Sequence, residues 1–129
     1  MSLADATLAE LAASFQLPSL AFNENNVAAL RIGGASDADE TDFVSFEKRG
    51  DSVFLSVARP LPPHRAGLAE QALRLCGKEG GFSIPIRAGL TSNGRLVFIT
   101  RFTQSSFTLS ETVRRITALR DAHSRLGDM

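Results

Sequence analysis

The sequence predicts an α+β domain in which three helices pack on a twisted, mainly antiparallel sheet of about five strands. Segments with the helical spacing of apolar residues lie near both ends and in the middle of the chain, and segments with strand alternation lie between them. Glycine-containing turns at 49–51 and 93–94 join two pairs of these strands as hairpins. The expected order is therefore helix, three strands, helix, two strands, helix.

The composition predicts a single domain over residues 1–129, because this is an ordinary domain length. Hydrophobic residues make up 43% of the chain, which is enough for a substantial core. The aromatic residues are nine phenylalanines, with no tryptophan and no tyrosine. Because phenylalanine needs no hydrogen-bond partner, this composition favours apolar cores and interfaces over acid–base chemistry.

Cysteine usage and hydropathy predict a cytoplasmic protein. The one cysteine, Cys76, excludes an internal disulfide and a thiolate metal cluster. The first residues lack the basic and apolar regions of a signal peptide, and no window approaches the ~20 apolar residues of a membrane span. We therefore expect neither export nor membrane contact.

The net charge of zero gives no indication of nucleic-acid binding. The charges are unevenly distributed, since residues 1–42 hold seven acids and one base, and residues 43–129 hold 13 bases and seven acids. This asymmetry predicts two differently charged faces.

The first helix is predicted over residues 3–16. Leu8, Leu11 and Phe15 follow the helical spacing, and Pro18 prevents the helix from continuing. We expect this apolar stripe to cover part of the core.

An extended stretch at 17–22 and an asparagine-rich turn at 23–26 lead to a first strand at 27–32. The acidic loop that follows, residues 33–42, could mimic a calcium loop. It lacks the ligand spacing and the closing glutamate of that motif, so no metal site is predicted.

The central hairpin pairs strands at 43–48 and 53–59 through the turn at 49–51. Apolar side chains alternate on one face of both strands, while Phe43 and Phe54 point to the opposite face. Because both faces carry apolar residues, we expect the second face to be covered by a helix, another chain or a ligand.

The second helix follows a proline-marked corner at 60–63 and ends at Gly77. Its apolar stripe contains Leu68, Ala72 and Leu75, and small neighbouring side chains would let another helix approach closely. A helix–helix contact, within or between chains, is therefore expected at this stripe.

The last two strands are predicted at 82–88 and 96–102, joined by the turn at 93–94. Pro85 removes a backbone donor from the first of them, which indicates an edge strand or a bulge. The third helix then begins at the capping box 108–111 and continues to about residue 126. Four arginines are expected on its solvent face: Arg114, Arg115, Arg120 and Arg125.

No group of residues predicts catalysis, and no cofactor is expected. His64 and His123 lie far apart in the sequence. The sequence contains neither the metalloprotease motif HExxH, nor the hydrolase motif GxSxG, nor a CxxC pair. A small enzyme that uses Cys76 or His64 is one alternative hypothesis. However, Cys76 lies on the apolar stripe of the second helix, where it behaves as a small hydrophobe.

The order of elements, and the segments that fill it, resemble the class I chaperones of type III secretion (the Tir-chaperone, or CesT-like, family). The resemblance covers about residues 3–126 and lies in the order of its segments rather than in one diagnostic motif. The matching segments are LAELAASFQLPSLAFNENN, VFLSVARPLPP, GLAEQALRLCG and IPIRAGLTSNGRLVFITRF.

This resemblance implies a homodimer in the bacterial cytoplasm that binds the extended N-terminal segment of a secreted effector. Such a chaperone keeps the segment secretion-competent without ATP. In the family, apolar patches on helix one and the strands beside it receive the effector, and helix two with a neighbouring strand commonly forms the dimer contact. The implied effector contacts are Leu8, Leu11, Phe15, Phe22, Phe43 and Phe54, and the implied dimer contacts are Leu68, Ala72 and Leu75.

A second hypothesis is a regulatory adaptor of the same fold, which would sequester a secretion regulator instead of exporting a client. The two functions differ in the partner, since an adaptor forms a stoichiometric complex with a regulator and its loss leaves client secretion intact.

Overall fold

A computed structural model of the chain describes residues 3–17, 19–32, 42–60, 67–77 and 80–126. Within these residues, three helices pack on a five-stranded antiparallel sheet, and this confirms the predicted fold class. The elements are α1 (Leu3–Ser14), β1 (Val27–Ile32), β2 (Asp42–Arg49), β3 (Ser52–Pro60), α2 (Leu68–Leu75), β4 (Arg87–Leu90), β5 (Arg95–Thr103), a short 3-10 helix (Gln104–Ser106) and α3 (Leu109–Arg125).

The strand order is β1-β2-β3-β5-β4, and every neighbouring pair is antiparallel, so β1 and β4 form the edges. The β2–β3 hairpin places Arg49 opposite Ser52 and closes through Gly50 and Asp51. Gly50 has a φ of 55°, a left-handed conformation that glycine adopts without steric cost. β3 is the central strand, because it pairs with β2 on one side and with β5 on the other. The chain between β3 and β5 contains α2 and β4.

The core lies between one face of the sheet and the helices. The rings of Phe46 and Phe102 lie against Phe107, with centroids 5.7 and 5.2 Å from it. α1 contributes Leu8 and Leu11, both fully buried. Because full burial of such a side chain is worth about 1.5–3 kcal/mol, these apolar contacts dominate the attachment of the helices to the sheet.

Two buried polar side chains connect helices to distant parts of the chain. Thr7 Oγ1 in α1 donates a hydrogen bond to the backbone oxygen of Phe107 over 2.7 Å. His123 Nε2 in α3 lies 2.8 Å from the backbone oxygen of Val57 in β3, and the histidine ring packs edge-on against Phe98. These bonds replace the water that burial removes from each polar group.

The fourth strand is shorter than predicted, because β4 begins only at Arg87. Pro85 has no N–H for the ladder, and its carbonyl instead accepts a hydrogen bond from Thr100 Oγ1 over 2.8 Å. Ile84 and Ile86 are nevertheless buried. The apolar alternation in this stretch therefore indicates burial and not strand geometry.

The arginines of α3 do not all face solvent, contrary to the prediction. The Arg114 side chain is 53% exposed, whereas that of Arg115 is 14% exposed. Arg115 donates to the backbone oxygen of Arg101 over 2.8 Å. A long side chain can lie along the protein and still bring its guanidinium group to a polar partner, which explains the difference.

Candidate binding surfaces

The face of the sheet that points away from the helices is here named the open sheet face. Strand alternation places Phe43 of β2, Phe54 of β3 and Ile99 of β5 on it, each half-buried. None of the three belongs to the core cluster, so in the described part of the chain the helices leave this face uncovered. Five arginines share the face: Arg31, Arg49, Arg87, Arg95 and Arg101.

Phe43 lies between two guanidinium groups on the open sheet face. Arg31 of β1 is 4.8 Å from the ring centroid, and Arg95 of β5 is 3.8 Å from it. Cation–π contacts of this kind contribute about 0.5–1 kcal/mol at exposed sites. The pair of contacts holds both arginines over the sheet, where their N–H groups remain available to a partner.

Two shallow grooves meet at Phe54 and Ile99. The first, of about 450 Å³, passes Pro85, Arg87 and Arg101. The second, of about 190 Å³, lies over β2 and β3. Phe54 and Ile99 therefore form an apolar floor that both grooves share.

The open sheet face is basic. Arg49 forms an ion pair with Glu47, with 2.8 Å between Nε and Oε1. None of the other four arginines of this face forms an ion pair within the described residues. A ligand with carboxylates would find unpaired guanidinium groups here.

The residues implied as effector contacts lie in three different places. Leu8 and Leu11 are fully buried in the core, so their side chains are not exposed to a partner in this fold. Phe15 and Phe22 are partly buried against the core, and Phe22 lies beneath the ammonium group of Lys48, 5.2 Å away. Phe43 and Phe54 lie together on the open sheet face, as described above. Effector contact by these six residues stays a prediction.

The dimer contacts implied on α2 face inward. Leu68, Ala72 and Leu75 are 5%, 0% and 4% exposed and belong to the core of their own chain. The exposed apolar residues nearby are Leu73, 63% exposed, and Leu90 of β4, 59% exposed. Neither residue was predicted as a surface contact, because Leu73 lies outside the apolar stripe and Leu90 lies beyond the predicted strand.

Leu73 and Leu90 line the same groove, of about 210 Å³. The groove lies between α2 and the edge strand β4, and its lining is almost entirely apolar. It is here named the α2–β4 groove. Its position at the sheet edge leaves it accessible to another chain.

Asp42 is not part of the acidic loop, contrary to the prediction, but the fully buried first residue of β2. Arg59 binds it through two hydrogen bonds, Nε–Oδ1 at 2.7 Å and Nη2–Oδ2 at 3.0 Å. Arg120 Nε adds a third, to Oδ2 at 2.7 Å. Burial raises the pKa of Asp42, but the hydrogen bonds and charges of the two arginines outweigh it and lower the pKa below its usual value. The rest of the acidic loop, residues 33–41, lies outside the described residues.

The chemistry of Cys76 does not favour nucleophilic attack. Burial raises the pKa of its thiol above the usual value, and no other cause opposes this shift. The thiolate is the reactive form, so a raised pKa lowers reactivity near neutral pH. His64, the partner considered for it, lies outside the described residues.

One protein-family model matches most of the chain. Residues 23–126 match the model of the type III secretory system chaperone SycN family. The chain belongs to this family of type III secretion chaperones. The resemblance inferred from the order of sequence segments is thereby confirmed. No curated protein matches the chaperone significantly in sequence.

Solved structures share the fold of the chaperone at low sequence identity. A chain of the HopA1–SchA chaperone–effector complex is 14% identical with a TM-score of 0.72, covering 98% of this chain and 94% of that one. A chain from the Yersinia pestis complex of the type III secretion chaperone SycH with a YscM2 fragment is 14% identical with a TM-score of 0.67, covering 95% and 98%.

A chain of the heterodimeric ExoU–SpcU complex from the Pseudomonas aeruginosa type III secretion system is 21% identical, with a TM-score of 0.62, covering 92% and 93%. These likenesses span nearly the whole chaperone. Among the helices that the structure describes, none has the length and apolar character needed to cross a bilayer.

Proposed function

We propose that this chaperone binds the extended N-terminal segment of a type III secreted effector in the bacterial cytoplasm and keeps it secretion-competent without ATP. The observation that carries the proposal is the open sheet face, where apolar side chains lie uncovered beside two grooves. An unfolded segment offers apolar side chains along an extended backbone, and such a face accepts them. The chaperone–effector and heterodimeric complexes formed by proteins of similar fold support the same function.

The chaperone acts by binding and not by catalysis in this proposal. Burial raises the pKa of the Cys76 thiol, which supports a structural role for this residue. The effector segment needs no chemical change to stay unfolded, because occupation of its apolar residues is enough to prevent their collapse.

The functional unit in this proposal is a homodimer formed through the α2–β4 groove. Leu73 and Leu90 are the large apolar side chains that are most exposed in the described chain. In an isologous contact the same surface of both protomers is buried. Leu73 and Leu90 of each protomer would therefore lose their exposed apolar area to the contact. This surface replaces the inward stripe of α2 as the expected dimer contact.

The test is capture of the partner by the tagged chaperone from its own host under secretion-inducing conditions. Phe54→Asp places a charge on the floor of both grooves, and we expect it to reduce capture at least about tenfold. Ser92→Asp, which adds the same charge at an exposed turn between β4 and β5, is the matched control and should capture normally.

The identity and protease sensitivity of the captured protein discriminate between functions. A partner held by its N-terminal segment, which is protected only while bound, supports an effector chaperone. A compact partner bound through a folded domain would instead support the regulatory adaptor. Normal capture by the Phe54→Asp variant would contradict the role of the open sheet face.

A further inference from the structure

The arginines of the two faces of the sheet differ in how they are neutralised. On the helix side, Arg59 and Arg120 share Asp42, while Arg114 and Arg115 share Glu111. On the open sheet face, four of five arginines have no acidic partner within the described residues. Among the described residues, four arginines are therefore unpaired on the surface that the proposed function assigns to the client.

The unpaired arginines lie around an apolar centre. Along β5, Arg95 and Arg101 are on the open sheet face at its two ends, with Val97 and Ile99 between them. The two arginines are six residue steps apart along the extended strand, a distance of roughly 20 Å. At the first end Arg31 joins Arg95 over the ring of Phe43.

At the second end, the strand register places Arg101 directly opposite Phe54. Arg87 of β4 lies opposite Ile99, and both Arg87 and Arg101 line the larger groove. Each end of the open sheet face thus combines two guanidinium groups with one phenylalanine ring.

We infer that the segment bound by the open sheet face carries carboxylates at both ends of a short apolar run. This inference rests on the proposed function and names the chemistry of its client. Apolar side chains of the segment contact Ile99 and Phe54, and carboxylates on either side contact the two arginine pairs. Because about six extended residues span the distance, the acidic positions stand about six residues apart.

An acidic peptide fits this face better than RNA, which would also be attracted by arginine. Single-stranded nucleic acid binds sheets by stacking its bases on open aromatic rings. The ring of Phe43 is already covered by Arg31 and Arg95. Among the described residues this leaves Phe54 as the one uncovered ring of the face, which is too few for successive bases to stack. Carboxylates, by contrast, pair with guanidinium edges without needing an open ring.

The test uses three fluorescein-labelled peptides and the full chain, with binding followed by fluorescence anisotropy. Each peptide has four central apolar residues, flanked on both sides by two glutamates, two glutamines or two lysines. We expect the glutamate peptide to bind about tenfold more tightly than the glutamine peptide, and the lysine peptide to bind more weakly still. The advantage should shrink in 0.5 M salt, because these charges are exposed to solvent.

The location is tested with the double variant Arg95→Gln/Arg101→Gln, which should remove the preference for glutamate. The control Arg74→Gln/Arg114→Gln removes the same charge from exposed helix positions and should keep the preference. Circular dichroism confirms that both variants are folded.

Equal binding of the glutamate and glutamine peptides, or binding of none of the peptides, would overturn the inference. A preference for glutamate that survives in the Arg95→Gln/Arg101→Gln variant would also overturn it. Tighter binding of a labelled single-stranded RNA of twelve nucleotides than of the glutamate peptide would do the same. Capture from the host tests the proposed function separately. A captured client without acidic flanks would contradict this inference alone. Absence of any secreted client would contradict the proposed function.

Discussion

Asp42 shows at residue scale how a charge can be essential to a core. Its carboxylate receives three hydrogen bonds from Arg59 and Arg120, whose side chains are 21% and 36% exposed, while Asp42 itself is fully buried. Desolvation of a carboxylate is costly, and here the two guanidinium groups offset that cost. The carboxylate therefore fixes the start of β2 against β3 and α3.

We expect Asp42→Asn to lower the free energy of unfolding by about 3 kcal/mol, because it leaves two partly buried arginines without a counter-charge. Urea unfolding followed by circular dichroism measures the change. Glu10→Gln, which removes an acid from an exposed position of α1, should change stability by less than about 0.5 kcal/mol. Equal effects of the two substitutions would contradict the role of the buried network.

Sequence patterns cannot distinguish this role, since Asp42 follows three other acids in a polar stretch. The burial of Asp42 depends on Arg120, which is 78 residues away in the chain. For Leu8 and Leu11 the sequence pattern also leaves the role of the side chain open, here between core and partner contact. Their helical spacing correctly predicted an apolar stripe, but an apolar stripe looks the same whether it contacts the core or a partner.

At the scale of elements, α2 carries two functions on opposite sides. Its inward residues complete the core, and its outward Leu73 lines the α2–β4 groove. The predicted stripe identified the inward side, because periodicity reports which residues are buried together. A solvent-exposed leucine outside the stripe gives no periodic signal, and only the structure reveals its neighbour Leu90.

We expect Leu73→Glu to convert the proposed dimer to a monomer with little loss of monomer stability, as measured by light scattering after size exclusion. Leu75→Glu should instead destabilise the fold by about 3 kcal/mol or more, because it buries an unpaired charge. The control Ala13→Glu adds the same charge to an exposed position of α1. A Leu73→Glu protein that stays dimeric would place the dimer contact elsewhere.

The N-terminus of α3 is stabilised by a carboxylate. Thr108 Oγ1 accepts a hydrogen bond from the Glu111 backbone N–H, which is one half of the predicted capping box. The reciprocal half is not formed, because the Thr108 N–H donates to the Ser106 backbone oxygen. The side chain of Glu111 accepts hydrogen bonds from Arg114 and Arg115, and these lower its pKa to about 2.

Because the folded pKa lies below the unfolded one, this stabilisation is complete above about pH 4.5 and is lost as the pH falls toward 2. We expect Glu111→Gln to reduce the slope of unfolding free energy against pH over this window. Urea unfolding at pH 2.5, 3.5 and 5 measures the slope. Glu24→Gln, at an exposed turn, should retain the wild-type slope, and parallel curves for all three proteins would contradict the assignment.

At the scale of the whole molecule, His123 joins the helical layer to the central strand through Val57. Burial is the main cause that lowers the pKa of His123 below 6.5, so the ring stays neutral where an unfolded chain would bind a proton. Lowering the pH through 6.5 therefore favours the unfolded state.

We expect the free energy of unfolding to fall between pH 7 and 5 in the wild type, and to fall less steeply in His123→Gln. Glutamine keeps a donor for the Val57 oxygen but cannot take up the proton. Urea unfolding at three pH values gives the slopes, and the wild-type ring titration by NMR checks the pKa directly. A ring pKa above 6.5 would refute this account.

The architecture as a whole was largely predictable, and so was the orientation of Phe43 and Phe54 away from the core, but the other features of the surfaces were not. β1 and the central hairpin match their predictions because local alternation and a glycine turn specify them. Which face of the sheet remains open depends on where α1 and α3 pack, and that depends on contacts between distant segments. Four arginines of that face lack an acidic partner among the described residues, and this is likewise visible only once the strands are assembled.

The contacts of α1 with the C-terminal part of the chain also constrain the order of events during protein synthesis. Thr7 and Phe107, which are hydrogen-bonded, stand 100 residues apart in the chain. A ribosome therefore releases α1, with Leu8 and Leu11, long before the 3-10 helix and α3 that contact α1 have been synthesised. The strand hairpins, whose partners are close in sequence, can form in the meantime. A chaperone that protects the apolar segment of another protein therefore has an apolar segment of its own, α1, which stays without its packing partners until translation is almost complete.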